Sequence, residues 1–130
     1  MNKPLQILGT WRLITYETWN AEGEVTEPLG TSPVGFAVFD DTGHAFIQLA
    51  RRTGQDKSAE AIDAAAHSFV AYFGTLTINE EHTELTVAVD ASNLPRYVGS
   101  RQVRPFKVTD DTLVLGVPGQ YRATLHRVSA

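Results

Sequence analysis

The sequence predicts an all-β fold: eight antiparallel strands closed into a barrel, with one inserted helix. Three observations predict it. Short runs rich in Val, Ile, Thr, Tyr, Phe and Trp recur along the 130 residues, each ended by a cluster of Gly, Pro, Asn or Asp. The connections are too short for the crossovers that parallel strands need, so neighbours run antiparallel. A single segment carries a helical period instead. Eight such strands can close on themselves, which removes exposed edges and leaves room for one small ligand.

The first strand runs from Leu8 to Trp19 and stops at Asn20-Ala-Glu-Gly23. The second, Val34 to Phe39, turns through Asp40-Asp-Thr-Gly43 into the third, His44 to Ala50, as a hairpin. Ser58 to Phe69 is the helix. Ser58 suits its N-cap, Glu60 and Asp63 suit its positive end, and Ile62, Ala65, Ala66 and Phe69 make one apolar stripe for docking. Val70 to Ile78 and Glu84 to Val89 pair across Asn79-Glu-Glu-His-Thr83. Gly99 to Val108, Thr112 to Gly116 and Tyr121 to Val128 complete the meander, joined at Asp110-Asp111 and Pro118-Gly119. No linker, repeat or low-complexity run divides the chain, so residues 1–130 are read as a single domain.

Composition narrows the function. There is no cysteine, which excludes disulfides, thiolate metal sites and cysteine nucleophiles. The net charge of −4 argues against nucleic acid or an anionic membrane as partner. No apolar run reaches the ~20 residues of a membrane span, and the start does not read as a signal peptide, so a reducing cytoplasm is the expected compartment. Residues 1–95 hold 5 basic and 13 acidic side chains, whereas residues 96–130 hold 6 and 2. That asymmetry reads either as cross-strand charge pairing or as arginines that meet an anionic ligand. A homodimer is left open.

No chemistry-bearing motif stands out. The four histidines, His44, His67, His82 and His126, lack metal-ligand spacing, and no phosphate loop or nucleophile elbow is present, so neither cofactor nor metal is expected. The candidates come from strand alternation instead. Gln102 and Arg104 share a face with Phe106 and Val108, so an inward phenylalanine brings the arginine inward. Glu17 falls on the face of Trp11, Leu13 and Thr15, which makes it the expected ion-pair partner of Arg104. A ligand carboxylate, phenolate or enolate is the alternative partner. Phe36, Phe46, Tyr72 and Phe106 are expected to line a cavity, with Gln48, Gln102, Arg104 and Tyr121 as orienting polar groups. Arg51, Arg52, Trp19 and Asn93-Leu-Pro-Arg96 are rim candidates.

Gly9-Thr10-Trp11 opens the first strand, and with Arg127 on the last it resembles the Gly-x-Trp signature of the calycins, the lipocalin and fatty-acid-binding barrels. Pro28-Leu-Gly followed by Pro33-Val-Gly, then Ala71-Tyr-Phe-Gly-Thr75 and Val98-Gly-Ser-Arg-Gln-Val-Arg104, follow in order. Together they resemble the compact lipocalin-like domain family over essentially the whole chain. The resemblance implies a calycin-like barrel whose closed end is sealed by Trp11 with Arg127 over its indole. The function expected is binding of a small apolar or amphipathic molecule, with an anionic one included. The alternatives are a cofactor-independent isomerase, cyclase or dehydratase using Glu17, His44, Tyr72 and Arg104, and a filled barrel serving as a structural or interaction domain.

Overall fold

The computed structural model describes residues 6–55 and 57–128. Its strands are β1 (Gly9–Trp19), β2 (Val25–Thr26), β3 (Val34–Phe39), β4 (His44–Ala50), β5 (Phe69–Ile78), β6 (Glu84–Ser92), β7 (Arg101–Thr109), β8 (Thr112–Val117) and β9 (Tyr121–Arg127). Each of β3 to β8 pairs with the next, β3 pairs with β1, and β9 returns to β1, so eight antiparallel strands close a barrel. β2 is a two-residue addition on the far end of β1, pairing Thr18 with Thr26. This is the calycin-like barrel that the sequence predicts, with one short strand more.

Alternation decides which side chains fill it. Ala37 and Phe39 of β3, Ala45 and Ile47 of β4, Leu85 and Val87 of β6, Leu113 of β8 and Leu125 of β9 are buried in one continuous core. Adjacent strands approach closely at Gly74, where a Cβ would sit 1.9 Å from the Ala88 carbonyl oxygen, so only glycine fits. Just past it the β5–β6 ladder slips between Phe73 and Gly74.

The closed end is built around Trp11, which has no exposed surface. Its Nε1 donates to the Ile7 carbonyl at 2.8 Å, and the Arg127 guanidinium lies 4.2 Å from the ring centroid. Arg127 also donates to the carbonyls of Gln6 and Leu8, which ties the N-terminal segment to the last strand. Gly9, at φ +130°, leaves the space for this: a Cβ there would stand 2.8 Å from Arg127 Nη1.

Two expectations need correction. The β1–β9 ladder slips between Leu13 and Thr15, a bulge that reverses the strand's phase. Beyond it Tyr16 and Thr18, opposite Ala123 and Tyr121, turn inward, and Glu17 turns outward. Glu17 pairs with Arg122 at 2.8 Å and not with Arg104. Helix α1 (Ala59–His67) is capped by Ser58, as the sequence suggests, but its expected stripe does not dock. Ile62 is 60% exposed and Phe69 has left the helix to begin β5, while Ala61, Ala65 and Ser68 form the half-buried face. Alanine's small size lets that face approach the barrel without burying any helical residue fully. No helix among the described residues is long and apolar enough to cross a membrane.

Candidate functional site

At the end of the barrel away from Trp11 the core opens into a cavity of about 420 Å³. All four tyrosines of the chain line it, Tyr16, Tyr72, Tyr97 and Tyr121, together with Arg104. Apolar wall comes from Leu29, Ile47, Leu49, Val70 and Leu115. His67 and Ser68 at the end of α1, and Arg96 in the turn after β6, border the same space. Among the described residues no aspartate or glutamate contributes to the lining.

Each tyrosine arrives by a different local device. The β1 bulge turns Tyr16 inward. Tyr72 lies opposite Ile47 in the β4–β5 ladder and shares its inward phase. Tyr121 begins β9 opposite Thr18 of β1. Tyr97 closes a 3-10 turn over Pro95–Tyr97 and meets Tyr72 edge to face, with ring centroids 5.5 Å apart. Asn93 anchors that turn: its Oδ1 accepts from the Ala71 N–H and its Nδ2 donates to the Phe69 carbonyl.

Arg104 is held by a directional chain. Its Nη2 donates to Gln102 Oε1 at 2.7 Å, Gln102 Nε2 donates to Ser100 Oγ at 2.7 Å, and Ser100 Oγ donates to the Tyr97 carbonyl at 2.6 Å. Nη1 donates to the Val103 carbonyl at 3.0 Å, which leaves further N–H donors for a ligand. The guanidinium stands 5.6 Å from the Tyr121 ring centroid, within cation–π range. Among the described residues no carboxylate forms a salt bridge with it. Burial by itself works against its charge, but Tyr72, Tyr121 and Tyr97 outweigh that, and its pKa stands above its usual value. Arg104 is therefore a charged group facing a cavity with only neutral partners.

The phenols are held in their protonated form. Burial pushes Tyr72 up to about 12, although the nearby Arg104 charge pulls the other way. Burial also raises Tyr16 and Tyr121. Near neutral pH these hydroxyls are donors and not bases. Tyr121 differs from the others: its hydroxyl is fully buried beside Arg104, yet among the described residues no group meets it with hydrogen-bond geometry.

The structure gathers Tyr72, Arg104 and Tyr121 at this cavity, and Gln102 behind Arg104 as its holder. Phe106 packs against the core below and does not line the space. Phe36, Phe46 and Gln48 are corrected: they point outward, because Ala37, Ala45, Ile47 and Leu49 take the inward phase of β3 and β4. Phe36 and Phe46 are 41% and 42% exposed. Phe36 stacks under Arg12 at 4.9 Å, and Phe46 stacks on Phe73 at 6.3 Å. His44 is also outside, with its Nδ1 2.8 Å from Thr42 Oγ1 in the β3–β4 turn. Of the rim candidates, Arg51 and Arg52 clip the loop before β3 through the carbonyls of Pro28 and Ser32. Trp19 lies against Arg122 on the outer face, and Arg96 stacks on Tyr97 at the mouth. Alternation did not reveal Tyr16 or Tyr97, since one follows a bulge and the other sits in a turn.

Among the described residues no three or more His, Asp and Glu side chains are placed to hold a metal. A family model described as a lipocalin-like domain matches residues 8–124, from just before Gly9-Thr-Trp11 to the middle of β9. No curated protein matches the chain.

Proposed function

Since the chain belongs to the lipocalin-like domain family, we propose that its barrel binds one small amphipathic molecule, with an anionic head on Arg104 and an apolar body against Ile47, Leu49, Val70 and Leu115. One observation carries this reading. A guanidinium faces a cavity in which the described residues supply donors and aromatic faces but no carboxylate. Burying such a charge unpaired is unfavourable, and an incoming anion relieves it. A volume of about 420 Å³ is within the ordinary range for small-ligand sites and speaks against a filled barrel.

The enzymatic alternative loses its bases. Glu17 and His44 lie outside the barrel, while Tyr72 and Arg104 hold their protons near neutral pH. Protonated phenols beside a guanidinium suit the holding of an anion, which supports binding.

The test is a panel of aromatic and branched aliphatic carboxylates, each compared with its primary amide, titrated into the wild type and Arg104→Gln. The acids should lose roughly 10- to 150-fold in affinity and the amides little, as expected for one charge-assisted hydrogen bond of about 1.5–3 kcal/mol. Equal losses for acid and amide would refute the anion anchor.

A further inference from the structure

We infer that the site selects anions carrying a second oxygen acceptor beside the charged group, as in 2-oxo and 2-hydroxy acids, over simple carboxylates. The inference rests on the proposed anion anchor and adds to it a specificity group, the Tyr121 hydroxyl.

Three observations converge on this. Among the described residues the Tyr121 hydroxyl is buried with no partner in hydrogen-bond geometry, on a residue that lines the cavity. A buried hydroxyl without a partner is an unfavourable arrangement that a protein rarely keeps unless something else satisfies it. It also lies beside Arg104, whose guanidinium is 5.6 Å from the Tyr121 ring centroid and whose charge acts on the phenol. A ligand oxygen that reaches this hydroxyl therefore belongs to an atom next to the anion and not to the distant apolar end. Lastly, the hydroxyl keeps its proton, because burial raises its pKa, so it donates and calls for an acceptor. The 2-oxygen of a 2-oxo acid offers an acceptor in that position, and a 2-hydroxyl does so as well. Tyr72 differs in that its hydroxyl is not among the buried oxygens left without a partner, whereas that of Tyr121 is.

The discriminating pair of probes is phenylpyruvate and 3-phenylpropanoate, which share a carboxylate and a phenyl ring and differ at the 2-position. Calorimetric titration of the wild type should show phenylpyruvate binding about tenfold more tightly. Tyr121→Phe should abolish that margin. Tyr72→Phe should keep the margin. The ligand-free Tyr121→Phe protein should melt at or above the wild-type temperature, because only an unpartnered hydroxyl is removed. Equal binding of both acids, with both lost in Arg104→Gln, overturns the inference and leaves the anion anchor standing. Binding of neither acid overturns both. A clear drop in the melting temperature of Tyr121→Phe would mean the hydroxyl is already satisfied, which also overturns the inference.

Discussion

Replacing Gln102 by glutamate tests the electrostatics of the site without touching a lining residue. Gln102 Oε1 accepts from Arg104 Nη2 at 2.7 Å. A carboxylate at that position would give the guanidinium a permanent counterion. An anion bound to the opposite edge of the guanidinium would then lie about 6–7 Å from the new charge, where an effective dielectric of about 20 gives about 2.5 kcal/mol of repulsion. That is a loss of roughly 50- to 100-fold for an acid, and little for its amide. Fold stability should change by no more than about 1 kcal/mol: the stronger bond to Arg104 is offset by the lost donation from Gln102 Nε2 to Ser100 Oγ. Gln102→Leu separates charge from positioning, since it removes the holder and leaves Arg104 without a counterion. Calorimetric titration of an acid and its amide, with thermal melts of all three proteins, reads both effects. If the glutamate variant binds acids as tightly as the wild type, or the leucine variant loses as much as the glutamate variant, the electrostatic account is wrong.

Trp11→Ala should destabilise the fold by roughly 3–5 kcal/mol in urea denaturation, because it empties the sealed end beneath Arg127; a loss below about 1 kcal/mol would mean the indole is not a keystone. Tyr72 titrates at 10.0 when unfolded and at about 12 when folded, so the stability it contributes is intact below pH 10.0 and is lost as pH rises towards about 12. Denaturation across that window should show a shallower alkaline decline in Tyr72→Phe, with some decline remaining because Tyr16 and Tyr121 shift the same way. Glu17→Gln should reduce stability by at most about 1 kcal/mol and leave acid affinity within about twofold, as befits a partly exposed pair with Arg122. A loss of acid binding matching that of Arg104→Gln would mean the phase of β1 is misread.

Topology was legible because strand runs and turn clusters are local signals. Hairpins such as that at Asp40-Asp-Thr-Gly43 need only their own residues: Asp40 Oδ1 accepts from the N–H groups of Thr42 and His44. The inward direction of Arg104 was legible for the same reason, since β7 keeps its alternation from Gln102 to Val108. Period-2 reasoning failed where one residue broke the period. The slip between Leu13 and Thr15 exchanges Glu17 for Tyr16 on the inner face, and nothing in Leu-Ile-Thr-Tyr-Glu marks it. In β4 both faces are apolar enough that His44-Phe46-Gln48 competed with Ala45-Ile47-Leu49. Packing settled it: small Ala45 faces bulky Phe39 across the ladder, which a single strand's pattern does not contain. The helix stripe misled in a similar way, because alanines permit close approach on a face that holds no large apolar group.

The uneven charge along the chain divides residue by residue into different tasks. Arg122 and Arg127 from the basic C-terminal stretch work structurally on the first strand, one paired with Glu17 and the other lying over Trp11 and bonded to the Leu8 carbonyl. Only the first of these pairs charges between the two ends of the chain; the ion pair of Arg127 is with Asp111 of the same basic stretch. Arg104 belongs to the same stretch but has no such partner. Its neighbours Arg101 and Val103 take the solvent side of β7, and alternation turns Arg104 toward the tyrosines. A carboxylate there would make a more favourable buried pair and cancel the field that an anionic ligand feels. Aromatic faces, the Tyr72 phenol and one amide oxygen instead support the guanidinium without neutralising it.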